Sequence, residues 1–106
     1  MAEGYEPQPY VKDSKVNVTV TMAQGVTSYG TIARRIGNLV IVSGLIQTSA
    51  QTAQNATLFT LGINPLENYH VLLNNYDCII NNAGKVIANT TIPAGYYAFN
   101  ASYLTN

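Results

Sequence analysis

Tryptophan is absent from this 106-residue chain, cysteine and histidine occur once each, and charged residues make up only 9%. With Cys78 alone, no disulfide can form within the chain, and its apolar setting in Cys78-Ile79-Ile80 predicts a buried, inert thiol. One histidine, His70, cannot hold a metal without thiol or carboxylate partners at ligand spacing, and its neighbours offer none. No cofactor is expected. Beyond residue 15 the only carboxylates are Glu67 and Asp77, and nothing in their spacing says that they meet. A glycosidase needs two carboxyl groups about 5–9.5 Å apart. Ser43 lies in Val-Ser-Gly, which is not a nucleophile elbow. These shortages predict a protein that is not an enzyme.

Other classes are excluded by charge and hydropathy. Five basic residues balance five acidic ones and form no patch, which argues against nucleic acid. No apolar run approaches the roughly 18 residues that cross a membrane. The first ten residues are acidic, proline-bearing and polar, so they do not read as a secretory signal. Residues 1–13 are expected to form a linker or attachment arm, since Pro7 and Pro9 favour extended chain. Residues 14–106 are expected to form the single folded domain.

What covers that domain is Asn, Thr, Gln, Ser and Tyr. A nearly uncharged exterior of this kind lacks the repulsion that keeps most soluble monomers apart. It predicts a homo-oligomer, an exterior of neutral hydrogen-bonding groups, or both. Amides and aromatic faces are the groups that sugars meet well, through their hydroxyls and apolar ring faces.

The pattern throughout is that of strands and turns. Val16, Val18, Val20 and Met22 alternate with Asn17, Thr19 and Thr21, the period of a half-buried strand. Two apolar runs flank Gly37-Asn38, which predicts a primed hairpin turn. Leu39 to Val42 is continuously apolar, as a strand buried on both faces is. Residues 49–57 read as an exposed polar loop. Further strands are expected at Leu58–Leu61, His70–Leu73, Cys78–Ile80, Lys85–Ile92 and Tyr96–Leu104, with Tyr97, Phe99 and Tyr103 on one face of the last. No segment carries a capped helical stripe; the nearest, Asn64–Leu73, is short and begins with proline. The expected fold is all-β: a Greek-key β-barrel or sandwich of about seven or eight antiparallel strands.

Three phrases in fixed order carry a family resemblance. Gly30-Thr31 with Arg34-Arg35-Ile36-Gly37-Asn38 and Val42-Ser43-Gly44 come first, then Ile92-Pro93-Ala94-Gly95-Tyr96, then a closing Ser102-Tyr103-Leu104-Thr105-Asn106. The order resembles the C-terminal receptor-binding (head) domain of bacteriophage tail fibre and baseplate proteins, over roughly residues 28–106. The resemblance implies a β-barrel head that forms a homotrimer at the virion's tail tip, joined to the rest of the fibre or baseplate. It would bind host cell-wall or surface polysaccharide without catalysis. Members of that family often stack sugars on tryptophan; this chain has none, so stacking would fall to tyrosine and no site residue carries over. The alternatives are a monomeric carbohydrate-binding module and a structural fibre or baseplate domain without a ligand.

Candidate saccharide contacts come from the residues themselves. Asn74, Asn75, Tyr76 and Asp77 offer amides, a ring and a carboxylate on a loop, although Asn and Asp are also ordinary turn formers. Glu67, Tyr69 and His70 cluster beside a turn; His70 reads equally as an exposed or structural residue. Arg34 and Arg35 point to opposite faces, and one of them is expected to pair with Glu67 or Asp77. Among the eight tyrosines, Tyr97 and Tyr103 are expected in the core or an interface, while Tyr29, Tyr69, Tyr76 and Tyr96 lie near turns.

Overall fold

The computed structural model describes residues 15–106, and the arm expected over residues 1–13 lies outside them. The described residues form ten strands and no helix: β1 (Lys15–Asn17), β2 (Val20–Met22), β3 (Val26–Ser28), β4 (Ile32–Ile36), β5 (Leu39–Thr48), β6 (Thr57–Leu61), β7 (Tyr69–Leu73), β8 (Tyr76–Ile80), β9 (Lys85–Ala88) and β10 (Gly95–Leu104). All pairings are antiparallel.

Two five-stranded sheets face each other. The first runs β1-β4-β5-β10, with β3 on the same edge of β5 as β4 but further along it; the second runs β2-β6-β9-β8-β7. The fold is therefore a sandwich, and the closed-barrel expectation is corrected. The edges of β7 and β10 come together without a ladder. Asn74 spans them, its backbone N–H donating to Ala98 O (3.0 Å) and its Oδ1 accepting from Ala98 N–H (3.1 Å). Further along, Leu104 N–H donates to the Tyr69 hydroxyl oxygen (3.3 Å).

The count rises from eight strands to ten for a definite reason. Val16–Met22 is not one strand: β1 pairs with β4 in the first sheet, and β2 pairs with β6 in the second. The chain changes sheets at Val18-Thr19, where Val18 N–H still donates to Ala33 O and Thr19 O accepts from Gly62 N–H. β3 is the other addition. The strand expected over Lys85–Ile92 stops at Ala88, and Ile92 pairs only with Thr52, in an isolated bridge.

The hairpin of β4 and β5 forms as expected, with Ile36 opposite Leu39 across Gly37-Asn38. Gly37 alone takes a positive φ, +60°. A primed turn that needs positive φ only at its first central residue is the glycine-first form.

Between the sheets lie Val40, Val42 and Ile46 of β5, Tyr97, Phe99 and Tyr103 of β10, and Phe59, Leu61, Val71, Leu73, Cys78, Ile80, Val86 and Ala88 of the second sheet. Phe59 and Phe99 meet across the middle with ring centroids 5.0 Å apart. The Tyr103 hydroxyl, pushed up to about 12 by burial, donates to Ile63 O (2.6 Å). A buried polar tip is thereby satisfied.

β5 departs from its expected burial on both faces. Its inward residues are buried, but Leu39, Ile41 and Leu45 on the outer face remain 37–40% exposed, because no third layer among the described residues covers that side.

Candidate functional site

The second sheet's outer face brings three polar residues together. Leu72 opposes Asp77 across the β7–β8 ladder, so His70, two residues back on the same face, lies diagonal to Asp77. His70 Nδ1 is 3.0 Å from Asp77 Oδ1, and Asn89 Nδ2 donates to Asp77 Oδ2 (2.8 Å). The hydrogen bond from Asn89, followed by that from His70, holds the Asp77 carboxyl below the usual carboxylate range. Because the shift is downward, whatever stability it lends is present above the ordinary carboxylate pKa. It is lost as the pH falls through the lowered one.

The other expected contacts divide into structural and exposed groups. Asn74 and Asn75 alone make the β7–β8 turn, with Asn74 at φ +53°, so Tyr76 and Asp77 belong to β8 and not to a loop. Asn74 is taken up by the sandwich: besides the bonds to Ala98, its Nδ2 donates to Tyr96 O (3.3 Å). The ring of Tyr76 packs edge-on against Tyr97 (5.6 Å), and that of Tyr69 packs on Tyr103 (6.0 Å). Those three side chains hold the fold together. Asn75 and Glu67 are exposed. The ion pair expected for an arginine with Glu67 or Asp77 does not form among the described residues. Arg35 donates instead to Gly37 O (2.7 Å) and Asn106 O (2.5 Å).

A second patch lies on the first sheet, at the far end of β5. Thr27 of β3, Gln47 of β5 and Tyr96 of β10 share one cross-strand row. Tyr29 follows β3, and its hydroxyl donates to Gln47 Oε1 (3.1 Å). The Tyr29 and Tyr96 rings are 5.9 Å apart, tilted by 50°, and both are more than half exposed. The Asn74 side chain pins the β7–β8 turn to the β10 backbone at Tyr96 and Ala98. Both tyrosines stood out in sequence as near turns. Gln47 carried no signal of its own, since only the β5 register places it beside them.

Cys78 is buried at the centre of the second sheet, and burial pushes its thiol up to about 11. It therefore has little thiolate at neutral pH. No group of three or more His, Cys, Asp or Glu able to hold a metal occurs among the described residues. No helix there is long and apolar enough to cross a membrane.

No family model matches the chain, and neither does any curated protein or solved structure.

Proposed function

We propose that this chain is a receptor-binding head of the bacteriophage tail-fibre and baseplate type. In this reading it acts at the virion's tail tip, is joined to the rest of a fibre or baseplate, and is assembled as a homotrimer. Its Greek-key sandwich adsorbs to host surface saccharide and carries out no catalysis. The observation that carries the reading is the exposed Tyr29–Tyr96 pair with the Gln47 amide beside it, hydrogen-bonded to the Tyr29 hydroxyl. Two tilted ring faces and a side-chain amide suit a sugar, which offers an apolar ring face and hydroxyls at once. The neutral, amide-rich exterior supports the same reading. A rigid sheet holds the groups in place, so little ordering entropy opposes binding.

Tyr96→Ala is expected to weaken binding to susceptible cells or their isolated polysaccharide about 10- to 30-fold. The ring is 57% exposed, so cooperative unfolding should hardly change. The comparison is the His70→Ala/Asp77→Ala double variant, measured on the same cells. Loss of binding there with Tyr96→Ala unaffected would transfer the site to the second sheet. If no saccharide or cell binds the unaltered chain, the structural-domain alternative takes over.

A further inference from the structure

We propose that the outer face of the first sheet, at the end away from Tyr29 and Tyr96, is the surface through which copies of this chain join. Ile36, Leu39, Ile41 and Leu104 form its apolar centre, and Arg34 is seated on neutral oxygens of the adjoining copy. The proposal rests on the self-assembling reading above and names the surface that performs it.

Antiparallel register defines the face row by row. Ile36, Leu39 and Leu104 make one row; Arg34, Ile41 and Ser102 the next; Ile32, Ser43 and Asn100 the third. An antiparallel sheet that meets water on one side ordinarily carries polar residues there. This one instead exposes Ile32 at 50%, Ile36 at 38%, Leu39 at 37%, Ile41 at 40% and Leu104 at 49%. With Leu45, these side chains present on the order of 400–500 Å² of apolar surface, the size of the largest patch on a typical monomer, which is often functional. A standard interface takes about 800 Å² from each partner, somewhat over half of it apolar, which this face supplies.

Charge indicates what kind of partner fits. Arg34 lies between Ile32 and Ile36 in a groove of about 340 Å³ that Ile41 and Ser43 complete. Among the described residues it has no hydrogen-bond or ion-pair partner, and the other charged position in these rows, Lys15 of β1 opposite Ile36, lies on the same side of the face, so the β10 side carries no charge. An acidic partner would meet cations along the β1–β4 margin only, beside a field of isoleucine and leucine. A second copy offers apolar surface of the same kind, and on its β10 side the hydroxyl of Ser102 and the amide of Asn100. A ring-closing arrangement lays the β4 side of one copy on the β10 side of the next. Arg34, a donor with no acceptor of its own, then meets oxygen, and like charges stay apart.

The test is the solution mass of the full chain by light scattering across a concentration series, beside Ile41→Lys. The unaltered chain should be oligomeric. Ile41→Lys should remain folded by circular dichroism and dissociate, with association weakened at least about 30-fold. Leu104→Lys, on the β10 side, should do the same and stands in if the first variant fails to fold. An oligomer that survives both changes overturns this surface and leaves self-assembly through another one. A chain that is monomeric at every concentration overturns the proposal outright, whether residues 1–14 or a different protein covers the face. Saccharide binding is read on the same samples. An oligomer that binds none removes the receptor-binding reading and keeps the interface; a monomer that binds does the reverse.

Discussion

Phe59→Ala is expected to cost about 3–5 kcal/mol, the range for emptying a buried aromatic position. Phe59 is 1% exposed, and its ring sits 5.0 Å from that of Phe99, the shortest of the aromatic contacts between the two sheets. Its strand has little freedom to close the gap. Thr57 pairs with Ile87 but Phe59 pairs with Val86, so an irregularity in the ladder already sets where β6 bends. A domain of this size has only about 5–15 kcal/mol of total stability. The variant should therefore lose a fifth or more of it. Urea unfolding measures the change directly. A loss below about 1 kcal/mol would mean that the sheets collapse readily into the vacated volume, and that the centre of the sandwich is less closely packed than its geometry indicates.

The second large effect comes from adding one methyl group. Gly84 ends the turn before β9 at φ +80°, and a Cβ there would stand 2.5 Å from Leu61 O. That carbonyl belongs to the neighbouring strand β6, whose Leu61 N–H donates to Gly84 O (2.7 Å). Alanine at this site meets both a backbone conformation that costs it about 1–2 kcal/mol and a collision that only moving β9 away from β6 relieves. Together these predict a loss of about 2–4 kcal/mol for Gly84→Ala. Gly37→Ala separates the two causes. Gly37 also has positive φ, +60°, but nothing lies within 4 Å of its would-be Cβ. It should lose only the conformational part, about 1 kcal/mol. Equal midpoints for the two variants in chemical denaturation would show that the Leu61 carbonyl yields at no cost.

Much of this architecture is written in local pattern, and the parts that are not share a physical cause. The Gly37-Asn38 hairpin and the inward row Tyr97, Phe99 and Tyr103 follow from alternation and turn chemistry alone. The exchange of sheets at Val18-Thr19 does not. Alternation records which residues face inward, and the two sheets of a sandwich share one interior. Val16 to Met22 therefore keeps its rhythm while the hydrogen-bond partner changes from β4 to β6. The continuous apolar run of β5 signals two apolar faces, yet sequence cannot say whether the second is covered from within the chain. Asn74 to Asp77 reads in sequence as one loop because all four residues suit turns. Two of them suffice for the hairpin, and the others continue as strand. Tyr69, Tyr76 and Asn74 read as free contacts because their partners Leu104, Tyr97 and Ala98 lie far along the chain. The link from His70 to Asp77 to Asn89 was equally hidden, since it depends on a register that the turn length fixes.

Between β3 and β4 the chain leaves the edge of β5 and returns to it, with Tyr29 N–H held by Leu45 O and Gly30 at the crest. No atom from elsewhere lies within 4 Å of where a Gly30 side chain would begin. The two strands it joins are each anchored independently to β5, so the spacing between them is set by the sheet and not by this link. Extra residues at the crest would extend into solvent, and loop closure makes such lengthening thermodynamically mild. The sandwich thus carries, beside one ring of its exposed tyrosine pair, a site where chain length can vary while the framework stays constant. Related chains could diversify there without refolding.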